Sequence, residues 1–295
     1  MTLKIQKFFS ELGSGLLAII KVVLLSKFRT EIRYSVRDKS CIILGNGPSL
    51  ESMLKEYPGF LESKDIICVN HFPSTSYYEK LKPAFYITSA PDLWLDNIDE
   101  KFIRQSDELF SAMARKTSWD IQFLVPFEAE RYERWKKDLK ENPGIRFIHY
   151  NNIGIEGWKG LRHYFYRRNL AMPRPHNVII SAIYTAINLG YQEIYIWGAE
   201  HTQFKEITVD ENNNALINQK HFYDYSESKA EPLDKRGKGE RKVHEILYKF
   251  MVAFRSYFVL REYSDSRGVR ILNATPGSLI DAFERFDNKR NKANG

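Results

Sequence analysis

The residues best suited to chemistry follow a short apolar run near the start of the chain. Cys41–Leu44 leads directly into Gly45-Asn46-Gly47-Pro48-Ser49. Glycine lets a backbone approach a ligand closely, and proline favours the first turn of a helix. Amides at such a turn, together with the helix dipole, attract anions. We therefore predict that Gly45, Asn46, Gly47 and Ser49 bind a phosphate, with an ordinary strand–helix turn as the alternative.

Polar side chains also follow two later apolar runs. Asn70 comes after Ile66–Val69, and Ser89 comes after Ala84–Ile87. Ligands of open α/β sheets bind at the carboxyl ends of strands, so Asn70 and Ser89 are predicted to contact a phosphate or ribose. Asp92 is a lone carboxylate, and no acid or histidine cluster has the spacing of metal ligands. Neither a metal site nor a cofactor is predicted.

Two histidines are candidate general bases, because the pKa of histidine lies near neutrality. His201 follows Glu200 directly after the apolar run Glu193–Trp197. His221 and Tyr225 lie in a polar insertion, where packing alone is the alternative interpretation. The candidate catalytic residues are therefore His201, Glu200, His221 and Tyr225. A further turn, Thr275-Pro-Gly-Ser278, is predicted to begin a helix whose N-terminus faces the same edge, with Thr275 in the site.

Short apolar runs and helical stretches alternate along the chain, which predicts a mostly parallel sheet covered by helices on both faces. The predicted strands are Ser40–Leu44, Asp65–Val69, Ala84–Ile87, Ile121–Val125, Arg146–His149, Glu193–Trp197 and Val269–Leu272. The predicted helices are Leu50–Glu56, Val178–Leu189 and Glu240–Tyr263. In the last helix, Leu247, Phe250, Met251, Phe254, Phe258 and Val259 recur at helical spacing and are expected in the core.

The chain divides into three parts by composition. Residues 1–38 form a basic amphipathic segment, residues 39–285 the α/β domain, and residues 286–295 a polar tail. Residues 203–239 are a polar insertion, interpreted as a lid over the site. The apolar run 15–25 is shorter than the roughly 20 residues that span a bilayer. It is predicted either to lie on an anionic membrane surface or to pack on the domain or a second subunit.

The formal net charge of +7 favours an anionic partner. Of nucleic acid, anionic lipid and a phosphorylated substrate, nucleic acid is the weakest candidate and is not predicted, because the sequence contains no zinc-finger spacing, RNP-like aromatic motif or basic recognition helix. The two cysteines, Cys41 and Cys68, lie in apolar runs and are expected to be reduced and buried, which favours the cytoplasm.

Four of these blocks resemble bacterial sialyltransferases of glycosyltransferase family 42 and related proteins of polysaccharide loci. They are the turn Gly45–Leu50, the strand that ends in Asn70, the segment Leu189–Gly198 and the turn Thr275–Leu279. The resemblance implies one Rossmann-like, GT-A-variant domain with a lid, which binds a CMP-activated sugar without a metal. It also implies that Asn46, Asn70 and Asn177 line the nucleotide, with Gly198 and Ala199 near its base.

The same resemblance places the family's catalytic histidine in the lid. His221 matches the start of that motif, whereas Tyr225 stands at the catalytic position, and Thr202 replaces a phosphate-binding tyrosine. With these departures, the prediction is still an enzyme that uses an activated sugar, and its base is either His201 or His221.

The resulting hypothesis is a glycosyltransferase that moves a CMP-linked 2-keto sugar, of the sialic acid or Kdo type, onto a surface glycan such as lipopolysaccharide or capsule. Its partners would be the sugar nucleotide, a glycan or glycolipid acceptor and a peripheral membrane surface, at the inner face of a bacterial membrane. The sequence is compatible with a monomer or a homo-oligomer. The alternatives are an ATP-dependent enzyme similar to archaeal pterin pyrophosphokinases and a non-catalytic sugar-nucleotide-binding protein.

Overall fold

The computed structural model describes residues 2–33, 36, 40–218, 222–223, 230–234 and 239–286. His221 and Tyr225 lie outside these residues, so their predicted roles stay predictions. Within the described part, the chain forms one large parallel sheet, one small antiparallel sheet and the helices that cover them.

The large sheet has eight strands, all paired in parallel. In chain order its strands are β1 Ser40–Leu44, β2 Asp65–Val69, β3 Phe85–Ile87, β4 Ile121–Pro126, β5 Ile145–Tyr150, β6 Glu193–Trp197, β10 Arg270–Asn273 and β11 Glu284–Arg285. The small sheet consists of β7 Thr208–Val209, β8 Ala215–Ile217 and β9 Glu231–Pro232. The predicted α/β fold class is confirmed.

Helices connect the strands and cover both faces of the large sheet. They are α1 Thr2–Leu25, α2 Leu50–Glu56, α3 Pro58–Glu62, α4 Tyr77–Leu81, α5 Glu100–Lys116, α6 Lys137–Lys140, α7 Lys159–Arg167, α8 Val178–Leu189 and α9 Val243–Asp265. Every residue of α8 is buried, and the helix ends at Gly190 in the left-handed conformation, as the sequence predicts. No described helix combines the length and the apolar character needed to span a membrane.

Successive residues of the central strands point into two separate cores. In β1, Cys41 and Ile43 pack in the layer of α1, α8 and α9, whereas Ile42 and Leu44 pack in the layer of α2 to α6. Because side chains alternate across a strand, a strand covered on both faces must be apolar at nearly every position. This explains why the central strands were recognisable as short apolar runs.

The strand order β11-β10-β6-β1-β2-β3-β4-β5 contains one reversal of direction, between β1 and β6. The chain proceeds from β1 outward to β5 and then returns to the other side of β1. Leu44 and Trp197 are paired at the carboxyl ends of these two strands. Connections that diverge at such a point leave a crevice, which is where ligands bind in open α/β sheets.

Two sequence expectations are wrong. No helix follows Thr275; the chain instead continues to the short strand β11. In α9, the outer side chains of Leu247, Met251 and Phe258 are nearly half exposed rather than in the core. The buried stripe of that helix is the neighbouring one, which contains Ile246, Ala253, Tyr257, Leu260 and Tyr263.

Candidate functional site

A cleft of about 970 Å³ opens at the carboxyl ends of β1 and β6. One wall consists of the loops Gly45–Gly47 and Gly198–His201, which follow these two strands. The opposite wall consists of the N-terminus of α8 and the first turns of α9. The cleft therefore lies at the reversal of strand order, where a ligand is expected from topology alone.

Three amides of the glycine turn, which the sequence predicted to be free, have acceptors within the protein. The Gly45 amide donates to the Trp197 carbonyl at 2.7 Å, and the Gly47 amide donates to the Gly198 carbonyl at 2.8 Å. The Ser49 amide donates to the Glu200 Oε1 atom at 2.8 Å, and Ser49 does not border the cleft. These amides join the two loops of the wall instead of facing a ligand.

The glycines of this wall are required for its close packing. A Cβ atom at Gly198, where φ is +67°, would lie 2.6 Å from the Gly45 carbonyl oxygen. A Cβ atom at Gly47 would lie 2.7 Å from both the Gly198 carbonyl oxygen and the Glu200 Cδ atom. Glu200 thus occupies the space above the turn that the sequence assigned to a phosphate.

Buried polar atoms without a hydrogen-bond partner concentrate in this cleft. Of the twelve such side-chain atoms among the described residues, six belong to residues that border it. They are Asn46 Oδ1, Asn70 Oδ1, Asn152 Oδ1, Glu200 Oε2, Gln203 Oε1 and Arg241 Nε. Five of the six are acceptor oxygens. Since native proteins satisfy nearly all buried polar groups, such a cluster indicates a place where donors of a ligand bind.

Asn46 and Asn70 show how these acceptors are held. The Asn46 side-chain amide donates to the Val69 carbonyl at 3.1 Å, which orients its Oδ1 atom, and Asn46 is only 9% exposed. Asn70 has a φ of +47°, a left-handed conformation that asparagine adopts more readily than most residues. The two asparagines therefore lie at the ends of adjacent strands, and the Asn46 side chain is fixed by its hydrogen bond.

The opposite wall of the cleft is positively charged. Arg241 and Lys249 border it, together with one acid of α9, Glu245. Val178 and Ile179 in the first turn of α8 also border it, and their amides have no acceptor within the helix. Burial is the main reason that the pKa of His176 in this wall is lowered, and the charges of Arg174, Lys249 and Arg241 lower that pKa further. This wall, and not the glycine turn, has the features of an anion site.

His201 ends the loop Gly198–His201 of the first wall and is held by a buried tyrosine. Its Nε2 atom is 2.6 Å from the Tyr257 hydroxyl, and the two rings are stacked. The Tyr257 hydroxyl also lies 3.0 Å from Nδ2 and 3.1 Å from Oδ1 of Asn177. Asn177 in turn caps α8, because its Oδ1 atom accepts from the Ile180 amide. The hydrogen bonds from His201 to Tyr257 and from Tyr257 to Asn177 therefore link the histidine to two helices, α9 and α8.

These hydrogen bonds are compatible with either neutral tautomer of His201. If the Tyr257 hydroxyl donates to Asn177 Oδ1, the His201 Nε2–H group donates to Tyr257 and Nδ1 is an acceptor. No described residue hydrogen-bonds to Nδ1. Burial lowers the pKa of His201 to about 4, so the ring is neutral near pH 7. A neutral, positioned imidazole with an available nitrogen is able to accept a proton.

The low pKa of His201 predicts a pH dependence of stability. The folded-state pKa lies below the ordinary value of about 6.5, so the unfolded chain binds a proton that the folded chain does not. Stability is therefore lost as the pH falls from about 6.5 towards 4, by about 1–2 kcal/mol from this group. In the His201→Gln variant, the difference between unfolding free energies measured by urea titration at about pH 7 and about pH 5 should shrink by that amount. The exposed Gln105, changed to Asn, is the control and should leave the difference unaltered. An equal loss in wild type and His201→Gln would contradict this prediction.

The structure brings ten of the predicted site residues together. Those that border the cleft are Gly45, Asn46, Gly47, Asn70, Ser89, Asn177, Gly198, Ala199, Glu200 and His201. Thr275 does not border it: its hydroxyl accepts from the Ala199 amide and donates to the Ile196 carbonyl, so it supports the loop from behind. Among the described residues, no group of three or more His, Cys, Asp or Glu could hold a metal ion.

Sequence reasoning missed the cationic wall and the tyrosine behind His201. The missed residues are Asn152, His176, Gln203, Arg241, His244, Lys249 and Tyr257. Arg241 lies two residues before α9 and Lys249 lies within it, close to the polar insertion 203–239. The sequence Arg174-Pro-His-Asn177 directly before a buried helix was the available signal for an N-terminal anion site.

No protein-family model matches the chain, and its sequence matches no curated protein. Among solved structures, the chain is similar to the MAf glycosyltransferase from Magnetospirillum magneticum AMB-1, with a TM-score of 0.49 and 11% sequence identity. The similarity covers 88% of this chain and 35% of that protein, so the chain spans about a third of its length. Similarity at this level carries no assignment of activity.

Proposed function

We propose that this protein is a glycosyltransferase that uses a nucleotide-activated sugar, with a CMP-linked 2-keto sugar as the donor. The observation that carries the proposal is the concentration of six unpartnered buried polar atoms in one cleft at the reversal of strand order. The five acceptor oxygens among these atoms suit the hydroxyl and amino groups of a nucleoside and a sugar. The cationic side suits a phosphate.

The two walls give the donor a direction. The ribose and base hydrogen-bond to Asn46, Asn70 and Glu200, while the phosphate rests on the α8 N-terminus near Arg241 and Lys249. A CMP-linked sugar has a single phosphate with one negative charge, which these groups can neutralise. Fixed donors at this position stabilise the charge that develops on the departing phosphate.

His201 is proposed to act as the base in this reaction. Its Nδ1 atom takes the proton of the acceptor hydroxyl as the acceptor oxygen bonds to the anomeric carbon and the bond from that carbon to the phosphate oxygen breaks. The imidazolium that results keeps its Nε2–H bond to Tyr257. Tyr257 is a positioning residue, since it acts through His201. His221 remains a second candidate base.

A thermal-shift panel tests the donor. We expect CMP to raise the Tm, because a ligand at about 100 times its Kd adds about 2.7 kcal/mol of stability. A chain of this size gains roughly 2–4 °C for each kcal/mol. CDP, UDP, GDP and ATP, each with and without Mg²⁺, should give smaller shifts.

Matched variants assign any shift to this cleft. Arg241→Gln should reduce the shift with CMP, whereas Arg104→Gln, at an exposed site on α5, should not. A shift with ATP and Mg²⁺ alone would instead support the pterin pyrophosphokinase-like alternative. Binding of CMP-sugar without release of CMP in the presence of glycan acceptors would support the non-catalytic alternative.

A further inference from the structure

The outer face of α1 is apolar and uncovered. Its exposed large side chains are between 41% and 73% accessible, and they continue to Phe28 beyond the helix. They are Phe9, Leu12, Leu16, Leu17, Ile19, Ile20, Val23, Leu24, Leu25 and Phe28. The opposite face is anchored to the body, where Ala18 and Val22 are buried. Uncovered patches of this kind mark surfaces that bind a partner or a membrane.

Cations flank this face at its C-terminal end. A groove of about 720 Å³ lies between the end of α1 and the loops after β4 and β5. Lys21, Lys27 and Arg131 border the groove, together with Glu128 and Glu130. Glu130 is already paired with Arg29, whereas neither Lys21 nor Lys27 forms an ion pair with a described residue.

The groove leads to the candidate site. Asn152 borders both the groove and the cleft, and both open at the carboxyl edge of the same sheet. The Asn152 Oδ1 atom is one of the unpartnered buried acceptors described above. A molecule that lies in the groove can therefore extend a hydroxyl-bearing part towards the cleft.

We propose that α1 lies on an anionic lipid bilayer, with its outer apolar face among the acyl chains and Lys21 and Lys27 at the lipid phosphates. The groove then receives the head of a lipid-linked acceptor, whose glycan extends past Asn152 to the cleft. The acceptor part of this inference rests on the proposed function, whereas the membrane part does not. Amphipathic helices with cationic flanks bind membranes in this orientation.

Charge favours a bilayer over a second copy of the chain at this surface. Residues 1–40 contain eight Lys or Arg and three acids, a local charge of +5. Two copies that met through α1 would bring two such segments together, and like charges at short distance repel. An anionic bilayer neutralises them instead.

Site-specific labelling tests the orientation. Both native cysteines, Cys41 and Cys68, are fully buried, so a maleimide dye labels an introduced cysteine selectively. An environment-sensitive dye on Leu24→Cys should shift its emission to shorter wavelength with vesicles of phosphatidylcholine and phosphatidylglycerol. The same dye on Gln105→Cys, at an exposed site of α5 on the other side of the sheet, should not shift.

Vesicle flotation measures the affinity. Leu17→Glu/Leu24→Glu should weaken binding to the anionic vesicles by at least about tenfold, because each change removes a large apolar side chain from the bilayer. Lys21→Glu/Lys27→Glu should also weaken it by about tenfold or more. Val209→Glu and Lys101→Glu, at exposed sites elsewhere, should have no effect.

Several outcomes would overturn the inference. These are equal binding of wild type and the α1 variants, equal binding to vesicles with and without phosphatidylglycerol, and a stable dimer without vesicles that Leu17→Glu/Leu24→Glu dissociates. The nucleotide-induced Tm shift should be the same in wild type and Leu17→Glu/Leu24→Glu. If wild type shows no Tm shift with nucleotide but still binds vesicles, the result counts against the proposed function and not against membrane docking.

Discussion

The His201→Gln variant is expected to lose sugar transfer by a factor of about 10²–10⁴ while still binding the donor. Glutamine is polar and of similar size, but it has no group that takes up a proton near neutral pH. Transfer is measured by chromatography as the release of CMP from CMP-sugar in the presence of acceptor. Donor binding is measured as the Tm shift with CMP. A variant that retains full transfer would exclude His201 as the base and leave His221 as the candidate.

Tyr257→Phe provides the matched test of how His201 is held. The variant removes the hydroxyl 2.6 Å from Nε2 and should lower kcat more than it raises KM. Tyr263→Phe is the control, because Tyr263 is a buried phenol on the same helix whose hydroxyl bonds to Asn188 Oδ1, away from the cleft. If both variants lose only stability, Tyr257 is a structural residue and not a positioning one.

The pH profile separates this base from an ordinary histidine. Because burial lowers the pKa of His201 to about 4, the acidic limb of kcat/KM in the free enzyme should lie near that value. An unperturbed histidine would place the limb near pH 6.5. A limb near 6.5 would therefore point to another group.

Gly45→Ala is expected to destabilise the folded protein strongly, because the added methyl group meets main-chain atoms of the neighbouring loop. The added Cβ atom would press against the Gly198 backbone, with the carbonyl carbon at 3.0 Å and the Trp197 carbonyl oxygen at 3.2 Å. Both contacts are with main chain, so no rotamer change relieves them. Overpacking of this kind costs about 1–3 kcal/mol or more, and the two loops must separate.

Thermal and urea denaturation check this prediction, with Gly59→Ala as the matched control. A Cβ atom at Gly59 meets nothing within 4 Å, and Gly59 lies in the short helix α3. Its replacement should leave stability unchanged or raise it by up to about 1 kcal/mol. Equal stability of Gly45→Ala and wild type would mean that the two loops are not in the described contact.

Seven of the eight strands of the large sheet were predictable from the sequence, and the central ones were predictable because they are buried on both faces. Runs such as Cys41–Leu44 and Ile194–Trp197 are apolar at every position, so they needed no knowledge of their neighbours. Helix α9 shows the opposite case. Helical spacing identified an apolar stripe through Leu247, Met251 and Phe258, but two stripes lie side by side, and contact with α8 and β10 selects the one through Tyr257 and Leu260.

The site was predictable in position but not in polarity. Glycines and asparagines after strands located the edge of the sheet where the cleft opens. However, the partner of the Ser49 amide is Glu200, 151 residues later in the chain, and no local pattern signals such a bond. The cationic wall was missed for the same reason, since Arg241 and Lys249 meet the α8 N-terminus only in the folded chain.

The bonds that join the loops after β1 and β6 have a consequence for selectivity. Because Gly45, Gly47 and Ser49 are tied to residues 197–200 before any ligand arrives, the conformational entropy of this wall is lost on folding and not on binding. A wall of this kind does not remodel around a poor ligand. Discrimination among donors should therefore come from shape and hydrogen-bond matching against a rigid template, and changes of specificity should be found on the opposite wall.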